Sequence, residues 1–195
     1  MSTETVRDVG EFGLIDRLVA ALPPGARGAG GDVLLAAGDD AAVLWLPPGR
    51  VQVVTTDALI EGNHFRLDWT DWESLGHKAL AVNISDIAAM GGVPAVAVVT
   101  LGLRGDELVR DLEAMYHGMG ALAERLQVVI VGGDIVRVDT ERLVSVTVLG
   151  SADPDRLLLR SAAMVGDAIG VTGTIGASAA GLEILREPER YRGLT

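Results

Sequence analysis

Segments with a helical period alternate along this chain with short runs rich in β-branched residues. The helical pattern is clearest in the middle of the chain, where it follows a plausible N-cap at Thr70 or Asp71 and ends at a pair of glycines. The predicted elements of this part are, in order, a helix at 71–90, a strand at 95–103, a helix at 106–126, a short apolar strand at 128–131 and an alternating strand at 142–149. Strands interleaved with helices predict an α/β or α+β layered domain.

The N-terminal part continues the same pattern. Apolar residues between Glu11 and Leu22 recur at helical spacing, and the following pair of prolines would end that helix. Two strand-like runs, 41–46 and 51–56, flank a Pro-Pro-Gly turn and predict a hairpin. The glycine-rich stretch at 25–31 is interpreted as a loop, since it lacks the spacing and the Lys-Ser/Thr ending of a phosphate-binding Walker loop.

A change of character near Ser151 predicts a division into two domains, 1–150 and 151–195. After a linker, the second part has a strand at 167–171, a glycine turn and a helix from about 177 to 186. A single strand and helix cannot bury their own apolar faces. We therefore expect the second domain to be incomplete as it stands, so that it packs on the first or belongs to a longer protein.

The balance of charges limits the partners of this protein. Acids outnumber bases by 27 to 16, the net charge is −11, and Lys78 is the only lysine. Nucleic-acid binders hold phosphates with clustered Lys and Arg, so a nucleic-acid partner is not expected. The absence of cysteine excludes disulfides, thiolate metal sites and a cysteine nucleophile. No apolar run reaches the length of a membrane span and the N-terminus lacks a signal-peptide pattern, so we expect a cytoplasmic protein with no membrane partner.

Aspartates recur beside small residues in four motifs. These motifs are GDD at 38–40, TTD at 55–57, SD at 85–86 and GGD at 132–134. Each aspartate alone could be a turn or cap residue. Together, at the predicted ends of strands, they suggest a site for Mg²⁺, which prefers carboxylate oxygens. Because almost no lysine is present, Mg²⁺ between aspartates and phosphates is the consistent way to bind a nucleotide.

Asp86 is the most informative of these acids. It lies on the apolar stripe of the predicted helix 71–90, where an unpaired carboxylate would be costly. It must then be paired, protonated or bound to a metal. The alternative to a metal is a buried arginine, or a hydrogen bond to Asn83 or Ser85.

Two further features are open to more than one interpretation. His64, in the segment EGNHF, could position an anionic or aromatic substrate, or could simply be an exposed side chain. The run GVTGTIGAS at 170–178 is a near miss to the dinucleotide-binding fingerprint. Its glycine turn before a helix could bind an anion, although close packing is the simpler explanation.

Taken together, the motifs resemble the thiamine-monophosphate kinase family over essentially the whole chain. The matching segments are GDDAAVL at 38–44, TTDALIEGNHF at 55–65, KALAVNISDIAAMGGVP at 78–94, VGGDIVR at 131–137 and RSAAMVGDAIGVTGTIGASAAGLEIL at 160–185. The SD helix and the GGD motif, interpreted as a turn, also resemble the wider superfamily of aminoimidazole ribonucleotide synthetase. TTDALIEGNHF is what favours the thiamine enzyme.

The resemblance implies a fold and a reaction. The fold is an N-terminal α/β domain with a mixed sheet that joins its twin in a homodimer to form a barrel, followed by a C-terminal α/β domain. The reaction is direct, Mg²⁺-assisted transfer of phosphate from ATP to thiamine monophosphate, giving thiamine diphosphate and ADP.

The resemblance also implies roles for individual residues, none of them a covalent catalyst. The residues that correspond to metal ligands are Asp40, Thr55, Thr56, Asp57, Asp86 and Asp134, and Asp39 is adjacent to them. His64 corresponds to a substrate contact. Gly133, Asp134 and Arg160 correspond to nucleotide contacts.

Two alternatives remain open. Family members are considerably longer, and their second half supplies a D-x-S-D-G metal motif and an S-G-x-E-D-Y segment that these residues lack. The chain could therefore be a non-catalytic dimeric fragment that binds nucleotide and Mg²⁺. It could also be a related ATP enzyme of the superfamily, similar to selenophosphate synthetase or the hydrogenase-maturation dehydratase, although the GNHF segment argues against this.

Overall fold

A four-stranded mixed sheet with helices on one face forms the first part of the molecule. The computed structural model of the chain describes residues 3–27, 33–35, 43–44 and 46–193. The chain divides into two compact units, Met1–Leu158 and Leu159–Thr195. The first unit contains the sheet, and each unit is described by itself below.

The elements follow the predicted alternation of strands and helices. In chain order they are α1 (Val6–Ala21), β1 (Val33–Leu35), β2 (Val43–Leu44), β3 (Val51–Ile60), α2 (Trp72–Ala89), β4 (Val93–Leu103), α3 (Val109–Arg125), β5 (Val129–Arg137), β6 (Leu143–Ala152) and α4 (Ala177–Arg186). The predicted α/β class and most of the predicted helices and strands are confirmed. None of the helices in the described part of the chain is long and apolar enough to cross a membrane.

The main sheet has the strand order β3–β6–β4–β5. The neighbours β4 and β5 are parallel and connected through α3, as a crossover between parallel strands requires. The other two pairs, β3 with β6 and β6 with β4, are antiparallel. Among the described residues, β3 and β5 are thus the two edges of this sheet.

Two glycines bring α2 and α3 into backbone contact above the sheet. A Cβ atom at Gly76 would lie 1.8 Å from the carbonyl oxygen of Met115, and one at Gly118 would lie 2.0 Å from that of Glu73. No side chain fits at either position. The buried core under these helices is built from aliphatic side chains of α1, α2, α3 and the inner face of the sheet.

The described residues of 41–46 and 51–56 do not form the predicted hairpin, and residues 41, 42 and 45 lie outside the described part of the chain. In the described residues, β2 pairs with the short strand β1, while β3 pairs along its whole length with β6. The ladder to β6 occupies one side of β3, and β2 belongs to a separate two-stranded sheet with β1.

The predicted strand at 167–171 is also absent from the described structure. The second unit contains a short 3₁₀ turn at Arg160–Ala162 and the helix α4, which begins after Gly176 in the left-handed conformation (φ 97°). The apolar side chains of Val165 and Ile169 are almost fully exposed. Because no other strand lies in the described part of this unit, the segment has no ladder partner. The helix at about 177–186 is confirmed.

Candidate functional site

Three of the predicted metal ligands lie on the same side of the sheet. The hydroxyl of Thr55 on β3 donates a 2.8 Å hydrogen bond to Oδ2 of Asp86 on α2. Asp57 shares a face with Thr55, because alternate residues of a strand point the same way. Their cross-strand partners on β6, Val148 and Val146, are buried in the core under the helices. The TTD and SD motifs thus meet at the sheet edge where α2 passes β3.

Asp86 does not lie on the buried stripe of α2, and the prediction that it faces the core is wrong. Its side chain is exposed. The helix is rotated so that Gly76, Leu80 and Ile87 face inward, because Gly76 packs on the backbone of α3. Because the carboxylate of Asp86 is exposed, it does not require a buried partner. The hydrogen bond from Thr55 fixes its position.

The polar residue on the buried stripe is Asn83, which is fully buried. Its Nδ2 donates to the carbonyl oxygen of Ala79 at 3.0 Å, and its Oδ1 has no hydrogen-bond partner among the described residues. The sequence interpretation named Asn83 only as a possible partner of Asp86. Asn83 lies at helical spacing from Leu80 and Ile87, and the close contact at Gly76 selects the face that these residues share.

Thr56 and Asp134 lie on the opposite face of the sheet. The hydroxyl of Thr56 donates to the carbonyl oxygen of Val146 (3.2 Å) and accepts from the hydroxyl of Thr147 (2.9 Å). Asp134 pairs with Thr100 on β4, Thr100 pairs with Ser145 on β6, and Ser145 pairs with Ala58 on β3. Asp134 therefore lies on the same face of the sheet as Ala58 and Thr56. Three strand spacings separate β5 from β3, about 14 Å. Within one chain, the structure does not bring Asp134 to Asp57.

Sequence reasoning missed the hydroxyl groups between these two residues. Thr147, Ser145 and Thr100 lie on the same outer face, on the strands between β3 and β5. The alternation of small polar and apolar residues at 143–149 is the signal that could have identified Ser145 and Thr147.

The expectation that the aspartates lie at strand ends is wrong for the three described ones. Asp57 is inside β3, Asp86 is in α2 and Asp134 is inside β5. The GGD segment is not a turn. It follows a bulge at which Ala97 pairs with Ile130 and the next residue of β4 pairs with Gly132. A Cβ at Gly133 would lie 1.9 Å from the carbonyl oxygen of Val99, so this glycine permits a close approach of two strands.

The donor set on the inner face suits Mg²⁺ in kind, although it is small. Thr55, Asp57 and Asp86 offer a hydroxyl and two exposed carboxylates, which are hard oxygen ligands. Within the described ranges, no three acids or histidines lie close enough together to hold a metal ion. Asp39 and Asp40 lie outside the described residues.

His64 sits in a tight loop between β3 and α2. Gly62 adopts a positive φ of 82°, and its N–H donates to the carbonyl oxygen of Phe65 at 2.8 Å. The N–H of His64 donates to the carbonyl oxygen of Ile60 (2.8 Å), and the N–H of Ile60 donates to Nδ1 of His64 (3.1 Å). The side chain of His64 is exposed, while these hydrogen bonds hold the backbone of the loop in place.

Beside this loop lies a buried group of charges centred on Arg142. Its guanidinium donates to Glu107 (2.6 Å), Glu61 (2.8 Å) and Asp106 (3.2 Å), and Arg142 is only 8% exposed. Burial alone would lower the pKa of Arg142, but the hydrogen bonds to Glu107 and Glu61 outweigh it and raise that pKa. Glu61 follows β3, Asp106 and Glu107 follow β4, and Arg142 precedes β6. The ion pairs therefore connect three loops at one end of the sheet.

The remaining predicted contact, Arg160, belongs to the second unit. It begins the short 3₁₀ turn Arg160–Ala162 and is exposed. A separate open cavity of about 320 Å³ lies between α2 and α3. It is lined by Asp71, Glu73, Ser74, His77, Gly118 and Ala121, none of which the sequence predicted as a site residue.

Known proteins resemble this chain in both sequence and fold. Residues 38–152 match the family described as AIR synthase related protein, N-terminal domain. The thiamine-monophosphate kinase of Bacillus subtilis is 43% identical over 150 residues, which cover 77% of this chain and 46% of that protein. The crystal structure of thiamine-monophosphate kinase from Stenotrophomonas maltophilia K279a has 38% identity and a TM-score of 0.77, covering 92% of this chain and 54% of the other.

A further solved structure is described as AaThiL complexed with AMPPCP and TMP. It is 34% identical with a TM-score of 0.68, covering 93% of this chain and 54% of that one. The chain thus spans about half the length of the relatives it matches. The match of residues 38–152 takes in more than half of the chain. The chain therefore belongs to the family of AIR synthase related proteins, whose N-terminal domain it contains, and is a homologue of the thiamine-monophosphate kinases.

Proposed function

We propose that this chain is the ATP- and Mg²⁺-binding part of an enzyme that phosphorylates thiamine monophosphate to thiamine diphosphate. One observation supports this most strongly: the Thr55–Asp86 hydrogen bond joins the TTD and SD motifs, with Asp57 on the same face of β3. Two exposed carboxylates and a hydroxyl at one sheet edge are suited to hold a divalent cation. The names of the relatives point to the same chemistry.

In this proposal, Mg²⁺ ions would be held by Thr55, Asp57 and Asp86 on the inner face of the sheet and by Thr56 and Asp134 on the outer face, together with Asp40. Bound Mg²⁺ would neutralise phosphate oxygens and align the donor and acceptor. The protein itself would supply little positive charge, since Lys78 is its only lysine and the net charge is −11. Because positioning and charge neutralisation dominate phosphoryl transfer, no covalent intermediate on the protein is required.

The separation of Asp134 from Asp57 favours a site shared between two copies of the chain. We propose a homodimer in which the two mixed sheets join to form a barrel. In the described part of the chain, β3 and β5 are free edges, and the outer face exposes Val54 and Val136. Joining β5 of one copy to β3 of the other would bring Asp134 of the partner subunit to the edge of β3, on the outer face where Thr56 lies.

The substrates would lie at two further places. We assign His64 to thiamine monophosphate, because its ring is exposed on a well-held loop. Gly133 and Asp134 on β5 are assigned to the nucleotide, and Arg160 is assigned to it separately, from its motif alone. The relative described as complexed with AMPPCP and TMP supports this pair of ligands.

A second candidate function is favoured by the length of the chain. It spans about half of its relatives, so it could bind Mg²⁺ and nucleotide as a dimer without turning substrate over. A related superfamily enzyme with another substrate is a weaker candidate, because no observed feature favours it.

One assay separates the two main candidates. The purified chain is incubated with ATP, Mg²⁺ and thiamine monophosphate, and thiamine diphosphate is measured by chromatography. Product that depends on both Mg²⁺ and the chain supports the kinase. No product, together with measurable binding of Mg²⁺-ATP, supports the non-catalytic fragment. If no product forms and no binding of Mg²⁺-ATP is measured, both candidate functions are contradicted.

A further inference from the structure

The loop at 61–65 holds the imidazole of His64 in one tautomer. The N–H of Ile60 donates to Nδ1 of His64, so Nδ1 must be unprotonated and the proton of the neutral ring is on Nε2. His64 is exposed, and its Nε2 lies 3.5 Å from Nδ2 of Asn63, which is itself a donor and cannot accept from Nε2–H. The loop therefore presents a hydrogen-bond donor of fixed direction, which depends on the position of the Ile60–His64 backbone.

Arg142 fixes the first residue of that loop twice. Its guanidinium donates to Oε2 of Glu61 (2.8 Å), and its carbonyl oxygen accepts from the N–H of Glu61 (3.0 Å). Glu61 in turn forms a β-bridge with Phe65, which closes the loop around His64. Holding residue 61 by both its side chain and its backbone restricts the whole closed loop.

Arg142 is itself held in place by buried partners. Glu107, only 3% exposed, accepts from Nε of Arg142 and from the backbone N–H groups of Arg104 and Gly105 (3.1 and 2.8 Å). The ring of Trp72 covers the guanidinium at 5.9 Å. A buried charge with this many partners has one arrangement, so it transmits a fixed position to residue 61.

Lys78 fixes the other side of the loop. Its Nζ donates to the carbonyl oxygen of His64 at 2.6 Å. Lys78 is on α2, two helical turns before Asp86, or about 12 Å along the helix. The same helix therefore carries a metal-ligand candidate and the group that holds the His64 backbone.

We propose that Arg142 and Lys78 are positioning residues that hold His64 as a preformed Nε2–H donor for an acceptor atom of the substrate. Neither residue has been assigned a role by the motifs. Only the identity of the acceptor rests on the proposed function, since the fixed tautomer is a property of the chain without ligand.

The test reads the tautomer directly. Long-range ¹H–¹⁵N spectra of the ¹⁵N-labelled chain resolve the ring nitrogens of its three histidines, and His64→Gln assigns the signals of His64. His77 and His117 are exposed and serve as internal references. In the wild type we expect His64 to show the Nε2–H tautomer alone. In Arg142→Gln and in Lys78→Met we expect its signals to move toward the averaged values of exposed histidines, while Arg142→Lys keeps most of the wild-type pattern.

Two controls separate positioning from loss of fold. Arg104→Gln removes a neighbouring cation that pairs with Asp106 but does not reach the loop, and it should leave His64 unchanged. Lys78 is exposed, so Lys78→Met keeps the proposal testable if Arg142→Gln fails to fold. A wild-type His64 with averaged tautomers, or an unchanged His64 tautomer in every variant that folds, overturns the proposal.

Titration with thiamine monophosphate distinguishes this proposal from the proposed function. If the wild type binds, folded Arg142→Gln should bind about tenfold more weakly, whereas Arg104→Gln should match the wild type. Equal binding by wild type and Arg142→Gln contradicts the positioning role and leaves the proposed function intact. If the wild type shows a fixed tautomer that the variants lose, but does not bind thiamine monophosphate, the assignment of substrate to His64 is contradicted and the role of Arg142 and Lys78 in fixing the ring is supported.

Discussion

Glu107 shows how much of the molecule depends on single buried charges. Its carboxylate accepts from Arg142 and from two backbone N–H groups. Glu107→Gln keeps the shape of the side chain but removes the charge, which leaves Arg142 buried and incompletely paired. We expect the free energy of unfolding to fall by about 3 kcal/mol, the usual cost of breaking a buried ion pair. Urea denaturation measures this.

The exposed Glu141 provides the matched control for that prediction. Glu141→Gln should change the unfolding free energy by less than about 0.5 kcal/mol. Equal stability of the two variants would contradict the structural importance of the Arg142 group.

The cap of α2 makes a pH-dependent contribution. The backbone N–H of Ser74 donates to Asp71, which lowers the pKa of that carboxyl in the folded state. The ionised form therefore stabilises the fold. This contribution is complete above the unfolded-state pKa near 4 and is lost as the pH falls through the lowered folded-state value.

Asp71→Asn and Asp71→Ala separate the cap from its charge. Asn caps a helix as well as Asp but does not titrate, whereas Ala removes the cap. We expect the melting temperature of the wild type to fall more than that of Asp71→Asn when the pH is lowered from 7 to 3. Asp71→Ala should melt lower than Asp71→Asn at pH 7. Parallel losses in wild type and Asp71→Asn would contradict the charge contribution.

At the level of single residues, the sequence predicted which residues form the candidate site better than it predicted the direction of their side chains. The motifs singled out Thr55, Asp57 and Asp86, and the structure places all three on one side of β3. The orientation of Asp86 was wrong because α2 packs on the sheet and on α3 at once. Its buried face is set by the contact at Gly76, which hydrophobic spacing alone does not reveal.

Among the elements, α2 and α3 depend on their two contact glycines. Gly76→Ala or Gly118→Ala would place a Cβ within about 2 Å of a backbone carbonyl oxygen, so the helices must move apart. We expect either variant to lose about 3 kcal/mol of unfolding free energy, since overpacking against backbone cannot be relieved by a rotamer change. Chemical denaturation followed by circular dichroism measures this.

Gly13 of α1 is the control glycine. A Cβ there meets only Val9 at an ordinary 3.5 Å, so Gly13→Ala should be neutral or stabilise by up to about 1 kcal/mol. If all three variants were equally stable, the close approach of α2 and α3 would be contradicted.

The elements themselves were largely predictable, whereas their pairing was not. Helical spacing and β-branched runs located α2, α3, β4 and β6. The hairpin prediction failed because the two runs belong to different sheets: β2 pairs with β1, and β3 pairs with β6, which is far away in sequence. The strand predicted at 167–171 failed for a related reason: strand propensity needs a neighbouring strand, and sequence shows none.

For the whole molecule, the proposed dimer predicts a mass of about twice 20.3 kDa. Light scattering after size-exclusion chromatography measures it. Val54 lies on the outer face of β3, so Val54→Asp should shift the chain toward monomer by placing a charge in the proposed barrel.

Phe12→Asp is the control for this change, because Phe12 is also apolar and exposed but lies on α1, outside the sheet. It should leave the mass unchanged. A monomeric wild type, or dissociation caused only by Phe12→Asp, would contradict the barrel.

The central claim is that Mg²⁺ held by carboxylates of β3 and α2 does the work that lysines do in other nucleotide-binding proteins. Isothermal titration of the chain with the non-hydrolysable nucleotide AMPPCP tests it, with and without Mg²⁺, for the wild type, Asp57→Asn and Asp86→Asn. We expect binding only with Mg²⁺, and at least tenfold weaker binding in each variant at unchanged melting temperature. Binding that is equally tight without Mg²⁺, or unchanged in both variants, would contradict the account.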